Sequence, residues 1–329
     1  MAHEEYKKGK FFEDCVKPEL FFGFAAPGLP TPAEIEKGEF LTQQDDKFLI
    51  QHVIRVGDYA AKVTYQDTAF LEIENLLWLQ EHVPDLEQPK IHAFYHVDGF
   101  DPMHKGAFCK DYKCYYLILD YIHGEKFSTA WPKLSQDQRQ NTMEKLAAQY
   151  KILRSIPQPD PSYYGRINRG GIAPNTPMIK NRQAAWGGPY SQYTDLVEAM
   201  QTSLEFSALA CSFHMQPEFG DRQSAIIRGF RSRLLGCKEE LQEAVLTQID
   251  TKSGNTLVCE DGRVVLIDWE TLAWLPKWVQ WWSIRDRFFT GSEDTATMRD
   301  WLIKELGGEE DTLHQYVQHE CRAASYILI

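Results

Sequence analysis

Residues 246–270 read Leu246-Thr-Gln-Ile-Asp250-Thr-Lys-Ser-Gly-Asn255-Thr-Leu-Val-Cys-Glu-Asp-Gly-Arg-Val-Val-Leu-Ile-Asp268-Trp-Glu270. Thr256 to Cys259 and Val264 to Ile267 are strand-like, and the Glu-Asp-Gly between them favours a tight hairpin. A hairpin brings its ends together, so Asn255 at the entry and Asp268 at the exit are expected side by side. Asp250 sits on a loop five residues upstream, directed at the same point. An Asn amide oxygen and an Asp carboxylate are hard donors suited to Mg2+ held by phosphate oxygens. A further carboxylate nearby can orient a hydroxyl and accept its proton. D-x-x-x-x-N followed by a hydrophobic-Ile-Asp strand end is the arrangement that phosphoryl transfer uses.

Upstream, FLIQHVIRV, Gly57-Asp58 and YAAKVTY read as two strands around a tight turn. The period then changes in AFLEIENLLWLQEH, where Ile73, Leu76, Leu77 and Gln80 share one helical face. Asp67 or Thr68 caps that helix and Pro84 ends it. KIHAFYHV and CYYLILDYI are further strands. Lys62, on the second strand, is expected to point off the sheet toward Glu72 on the packed helix, an ion pair able to hold phosphates. Glu74 is the weaker partner because it rotates away. The backbone at Asp120 and Ile122 can bond an adenine edge, with Leu119 and Leu257 supplying apolar contact.

Beyond Gly124 the chain reads as mainly helical. Leu134-Ser135 with Gln138 forms a staple and capping box, and Met143, Leu146, Ala147, Tyr150 and Leu153 make an apolar stripe. Pro157 to Pro189 is irregular, and helix returns from Tyr193 to His214 and again after Asp221. The expected fold class is α+β and two-lobed. Residues 1–122 form a small, mostly antiparallel-sheet lobe with one main helix and an N-terminal extension, and bind nucleotide. Residues 123–329 form a larger helical lobe with the catalytic loop and acceptor site, and a cleft between lobes is where cofactors bind.

The 329 residues hold 43% apolar and 25% charged side chains, with a net charge of -12. The acidity argues against a nucleic-acid or anionic-membrane binder and suits a cationic or amine-bearing small molecule. No run approaches the roughly 18 apolar residues that span a bilayer. The N-terminus has no secretory h-region, and seven irregularly spaced Cys favour a reducing compartment, so the cytoplasm is expected. Nine Trp are present, and Trp269, Trp274, Trp278, Trp281 and Trp282 follow Asp268 closely. Helical spacing of Trp274, Trp278 and Trp281 favours core packing. The alternative is an aromatic wall for a cationic or ring-bearing acceptor, with Trp274 joined by Glu270, Trp186, Tyr190 and Tyr193. Lys252, two residues past Asp250, is a candidate to touch the transferred group, and a surface Lys is the other reading.

These motifs resemble the aminoglycoside phosphotransferase family of the protein-kinase-like fold, which includes choline and homoserine kinases and many fungal members. The resemblance runs from about residue 45 to 290. It rests on AAKVTY with LEIENLLWL, YYLILDYIHGE, GPYSQYTDLVEAM, and D-T-K-S-G-N-T-L-V with V-V-L-I-D-W-E. It implies Asp250 as catalytic base, Asn255 and Asp268 as metal ligands, and Lys62 with Glu72 as the phosphate-positioning pair. The implied reaction uses ATP and Mg2+ and phosphorylates a small-molecule hydroxyl. Two departures stand out: Gln248-Ile249 replaces the family's His-Gly before Asp250, and no glycine-rich phosphate loop precedes FLIQHVIRV. They motivate a second reading, a kinase-fold protein with another reaction or a nucleotide-binding, regulatory role. A protein Ser/Thr kinase fits less well, because WETLAWLP after Asp268 carries no activation segment or Ala-Pro-Glu element.

Overall fold

The computed structural model describes residues 17–42, 51–64, 69–98, 113–159, 161–172, 187–212, 229–288 and 292–308, with backbone only at 98, 113 and 206–212. In chain order the strands are β1 (Glu39–Phe40), β2 (Gln51–Val56), β3 (Tyr59–Thr64), β4 (Ile91–Asp98), β5 (Lys113–Asp120), β6 (Gly124–Lys126), β7 (Ala244–Gln248), β8 (Thr256–Cys259), β9 (Val264–Leu266) and β10 (Leu272–Pro276). The principal helices are α1 (Ala69–His82), α2 (Gln136–Ser155), α3 (Tyr193–Ser212), α4 (Lys277–Arg287) and α5 (Thr295–Glu305). Asp67, Thr68, Trp186 and the stretch directly after Asp221 lie outside the described residues.

The chain divides into two compact units, Met1–Glu125 with Leu257–Glu270, and Lys126–Thr256 with Thr271–Ile329. A single boundary at 122 was expected, with everything after it in one lobe. Residues 257–270 instead join the N-terminal unit, because β8 pairs with both β6 and β9 in one three-stranded sheet.

In the first unit a five-stranded sheet has the order β1-β2-β3-β5-β4. The β2–β3 hairpin turns at Gly57, whose φ of 61° is left-handed backbone that glycine adopts without a Cβ clash. Period-2 alternation sends Ile54, Ala61, Val63, Tyr95, Tyr116 and Ile118 to one buried face. Lys62 lies opposite Leu117, which also lies opposite Phe94, so these three share the other face. Helix α1 covers that face: the Phe70 ring sits 5.2 Å from Phe94 and 5.1 Å from Tyr115, both edge-on. The core beneath α1 thus places Lys62 under the helix that carries Glu72.

In the second unit β7 and β10 pair antiparallel, with Trp274 opposite Leu246 and Leu272 opposite Gln248. Helix α2 starts as the sequence implies. Ser135 accepts from the Gln138 N–H while the Gln138 side chain accepts from the Ser135 N–H, a box worth about 1 kcal/mol. The helical spacing expected through Trp274 does not hold. Trp274 belongs to strand β10, and α4 begins only after Pro276, which supplies a φ suited to a helix entry but no N–H. Trp274, Trp278, Trp281 and Trp282 are all buried, so the aromatic excess is core of this unit. Among the described residues, no helix is long and apolar enough to cross a membrane.

Candidate functional site

Within the first unit, Lys62 Nζ donates to Glu72 Oε2 at 2.5 Å and to Asp268 Oδ1 at 2.8 Å. Burial alone would pull the ammonium toward neutrality. The carboxylates of Asp268, Glu72 and Glu270 outweigh it and push the Lys62 pKa well above its ordinary value, so Lys62 stays charged. Glu72 is buried, which raises its pKa against the opposing pull of Lys62, and its carboxylate also accepts from the Trp269 N–H. Glu74, the alternative partner, is taken by Lys17 instead.

The stretch carrying Asp268 is pinned to α1 from a second side. Fully buried Asn75 donates from Nδ2 to the Trp269 carbonyl at 2.6 Å, and the Trp269 indole N–H returns to the Leu266 carbonyl at 3.1 Å. Asp268 has a φ of 65°, a left-handed conformation uncommon outside glycine although Asp tolerates it better than most. Such a conformation persists only where surrounding contacts over-determine it. The Asn75 and Glu72 bonds on either face of Trp269 supply that determination.

At the end of β5, the Asp120 N–H donates to the Lys90 carbonyl at 2.9 Å and the Tyr121 N–H to the Asp58 carbonyl at 2.8 Å. The Asp120 carboxylate accepts from the Lys90 N–H and lies 2.6 Å from His92 Nε2. The Asp120 N–H and carboxylate are thus engaged, and no hydrogen bond of the Ile122 backbone is found among the described residues. Leu119 on β5 is buried and Leu257 on β8 is half-buried.

The second unit holds Asp250 in a separate network. Its Oδ1 accepts from Arg287 Nη1 at 2.8 Å, and its Oδ2 accepts from Lys252 Nζ at 2.8 Å and Asn255 Nδ2 at 3.2 Å. Asn255 Nδ2 also reaches the Asp250 carbonyl at 3.0 Å. Both amide hydrogens therefore turn toward Asp250, and the Asn255 Oδ1 faces away from it. Lys252 is 54% exposed, whereas Asp250 and Arg287 are 14% and 13% exposed, so the Arg is the fixed partner and the Lys the movable one. Tyr150 from α2 lies in the field of Asp250, and burial together with that charge pushes its hydroxyl well above the usual range.

The loop itself is hung from α4. Gln280 Nε2 donates to the Gln248 carbonyl at 3.1 Å, Ser283 Oγ donates to the Ile249 carbonyl, and Thr251 Oγ1 then donates to Ser283 Oγ at 2.6 Å. Gln280, Ser283 and Arg287 fall on one helical face and hold three points along 248–251. From β10's side, Thr271 accepts from the Ile249 N–H through its carbonyl and from the Asp250 N–H through its hydroxyl. Ile249, at the position where the resemblance expects glycine, is buried, so its side chain is absorbed by the core. None of Gln280, Ser283, Arg287 or Thr271 emerged from the motif reading. The signal was present: polar residues inside a Trp-rich helix must find partners when buried.

The acceptor-side candidates scatter. Trp274 is 1% exposed and its indole offers no face to a ligand. Tyr193 is core too, its hydroxyl donating to the Leu234 carbonyl and accepting from the Trp278 indole. Tyr190 is half-buried and pairs through its backbone with Tyr164. Glu270 acts on Lys62 in the first unit.

A profile described as the phosphotransferase enzyme family matches residues 53–310. Among solved structures, the chain is similar to a thermostable mutant of aminoglycoside phosphotransferase APH(4)-Ia in ternary complex with AMP-PNP and hygromycin B, with TM-score 0.53 and 14% identity, covering 87% of this chain and 83% of that one. It is also similar to a choline/ethanolamine kinase family protein from Mesorhizobium loti, with TM-score 0.50 and 15% identity, covering 98% of this chain and 84% of that one. At such identities these likenesses speak for the fold, which is the α+β, protein-kinase-like one expected. No curated protein matches the chain in sequence.

Proposed function

The chain belongs to the phosphotransferase enzyme family, and from that premise we propose that it transfers the γ-phosphoryl group of ATP to a hydroxyl of a small molecule. The observation that carries this reading is the sharing of one buried ammonium, Lys62, between Glu72 on α1 and Asp268 after β9. Glu72 positions the ammonium, and Lys62 holds the donor phosphates. The backbone of Asp120 and Ile122 bonds the adenine edge, with Leu119 and Leu257 in apolar contact.

Asp268 in the first unit and Asn255 in the second each carry an oxygen of the kind Mg2+ takes. They are the residues that would hold magnesium, which would neutralise charge on the donor's phosphate oxygens. Asp250 orients the acceptor hydroxyl through Oδ2, with exposed Lys252 swinging aside toward the transferred group, while Arg287 keeps Oδ1. The acceptor oxygen forms its bond to the γ-phosphorus, the bond to the bridging oxygen breaks, and the hydroxyl proton passes to Asp250. Positioning and electrostatics carry the step, with no covalent enzyme intermediate. The chain's acidity favours an amine-bearing acceptor, and Glu270, Trp186 and Tyr190 are candidates to meet it.

The test is ADP release with Mg·ATP across a panel of amino alcohols and hydroxylated amines, for wild type and Asp268→Ala. Turnover abolished in a folded variant supports the reading; a variant with normal turnover sinks it. One observation favours a second reading, a nucleotide-binding regulator: both carboxylate oxygens of Asp250 already face cations. Tight ATP binding without ADP release across the whole panel is the result that selects it.

A further inference from the structure

The C-terminal turns of α2 and α5, the short helix Glu239–Gln242, β7 and the N-terminal part of α4 line an open groove of about 490 Å³ in the second unit. That volume falls within the roughly 300–1,000 Å³ typical of small-molecule sites. The apolar part of its wall comes from Leu241, Val245, Trp281 and Leu306. Trp281 is 3% exposed and gives its indole N–H to the Leu306 carbonyl at 3.3 Å, so it forms the floor beneath Arg154.

The polar part is asymmetric in charge. Lys151 is matched by Glu305 at 2.7 Å and Lys277 by Glu243 at 2.5 Å. Arg154 is not matched by any carboxylate among the described residues. Of the five N–H groups a guanidinium carries, one Nη1 bond reaches the Lys277 carbonyl at 3.2 Å, and Cζ stands 5.7 Å from the Trp281 ring centroid. Burial with no anion to offset it pulls the Arg154 pKa down to about 10. Helix α4 starts beside it at Lys277, and its N-cap, Pro276, has no side-chain acceptor, so the positive helix end adds to the same field.

We propose that this groove binds a small monocarboxylate with an apolar or aromatic body, the carboxylate forked onto Arg154 and the body against half-buried Leu241. The planar fork of Arg matches a carboxylate in two bonds. A single unmatched cation with Glu240 and Glu305 also on the wall favours a monoanion over a phosphate dianion. The site is independent of the phosphotransfer reading, since none of its residues takes part in that machinery.

The experiment is isothermal titration of the full chain with benzoate and 3-phenylpropionate, against benzamide and inorganic phosphate. The expected result is saturable binding of a carboxylate, weakened about tenfold or more in Arg154→Met and partly restored in Arg154→Lys. Leu241→Glu provides a second variant: it offers Arg154 a resident carboxylate and is expected to abolish binding without touching the guanidinium. Circular dichroism reports whether each variant is folded. The proposal is overturned by no saturation at concentrations up to about 10 mM, or by equal affinity in folded Arg154→Met or Leu241→Glu. Benzamide or phosphate binding as tightly as benzoate overturns it as well.

Discussion

Arg287 donates from Nη1 to Oδ1 of Asp250 at 2.8 Å across 37 residues of sequence. The bond fixes one oxygen of the proposed proton acceptor and leaves the other to an exposed, movable lysine. Arg287→Met is expected to lower ADP release by about 10–100-fold through loss of orientation and to destabilise the fold by about 1–3 kcal/mol. Arg287→Lys, which keeps one charged bond, recovers part of the turnover. Steady-state kinetics with urea unfolding separates the two effects, and a Met variant with unaltered turnover means Asp250 needs no brace.

Lys62 contacts both Glu72 and Asp268, so its removal strands buried carboxylate. Lys62→Met is expected to cost about 3–5 kcal/mol at neutral pH. The folded-state pKa of Lys62 is raised above its ordinary 10.5, so its stabilisation is full below that pH. It is lost as pH rises from there through the higher folded value. The gap in urea midpoint between wild type and variant should therefore stay constant from neutral pH up to about pH 10 and shrink above it. In acid the gap also closes, because Glu72 and Asp268 then take up protons and no longer need the ammonium; a gap unchanged well above pH 10 contradicts the assignment.

Asn255 donates from Nδ2 to both the carbonyl and the carboxylate of Asp250, and no hydrogen bond to its Oδ1 is found among the described residues. Asn255→Ala removes a brace and a metal donor together, with an expected fall in turnover of about 100-fold. Asn255→Asp restores an oxygen donor but no N–H, and should keep magnesium dependence while lowering the maximal rate. Magnesium titrations of ADP release distinguish the variants.

Ser283 and Gln280 hold the backbone of Ile249 and Gln248 and are fully buried. Ser283→Ala leaves the Ile249 carbonyl and the Thr251 hydroxyl without their shared partner, at an expected cost of about 1–3 kcal/mol. Gln280→Ala adds a cavity and a similar loss. Thermal denaturation reads both, and hydrogen exchange at 248–251 should quicken more than in β10.

The chemistry-bearing segment was legible because its geometry is local. A four-residue turn fixes the hairpin, and only four residues separate Asp250 from Asn255. Lys62 and Glu72 were legible for a related reason: a strand followed at once by a helix leaves one face on which they meet. Arg287 was not, since no local period relates a loop to a helix 37 residues on. Trp274 misled because Trp recurs at near-helical intervals across a strand and a helix that Pro276 divides. The residues around the acceptor stayed illegible, as packing rather than spacing decides which aromatics are covered.

The first unit is assembled from two separated stretches of chain, and Asp268 belongs to the later one. During synthesis at roughly 5–20 residues per second, the sheet and α1 emerge on the order of ten seconds before the hairpin that completes them. In that interval Lys62 has Glu72 but not Asp268, and Asn75 has no Trp269 carbonyl to hold. A fragment ending at Glu125 is the same unfinished state made permanent. The first unit is therefore no portable module: its last contacts wait on a stretch of chain that follows most of its neighbour.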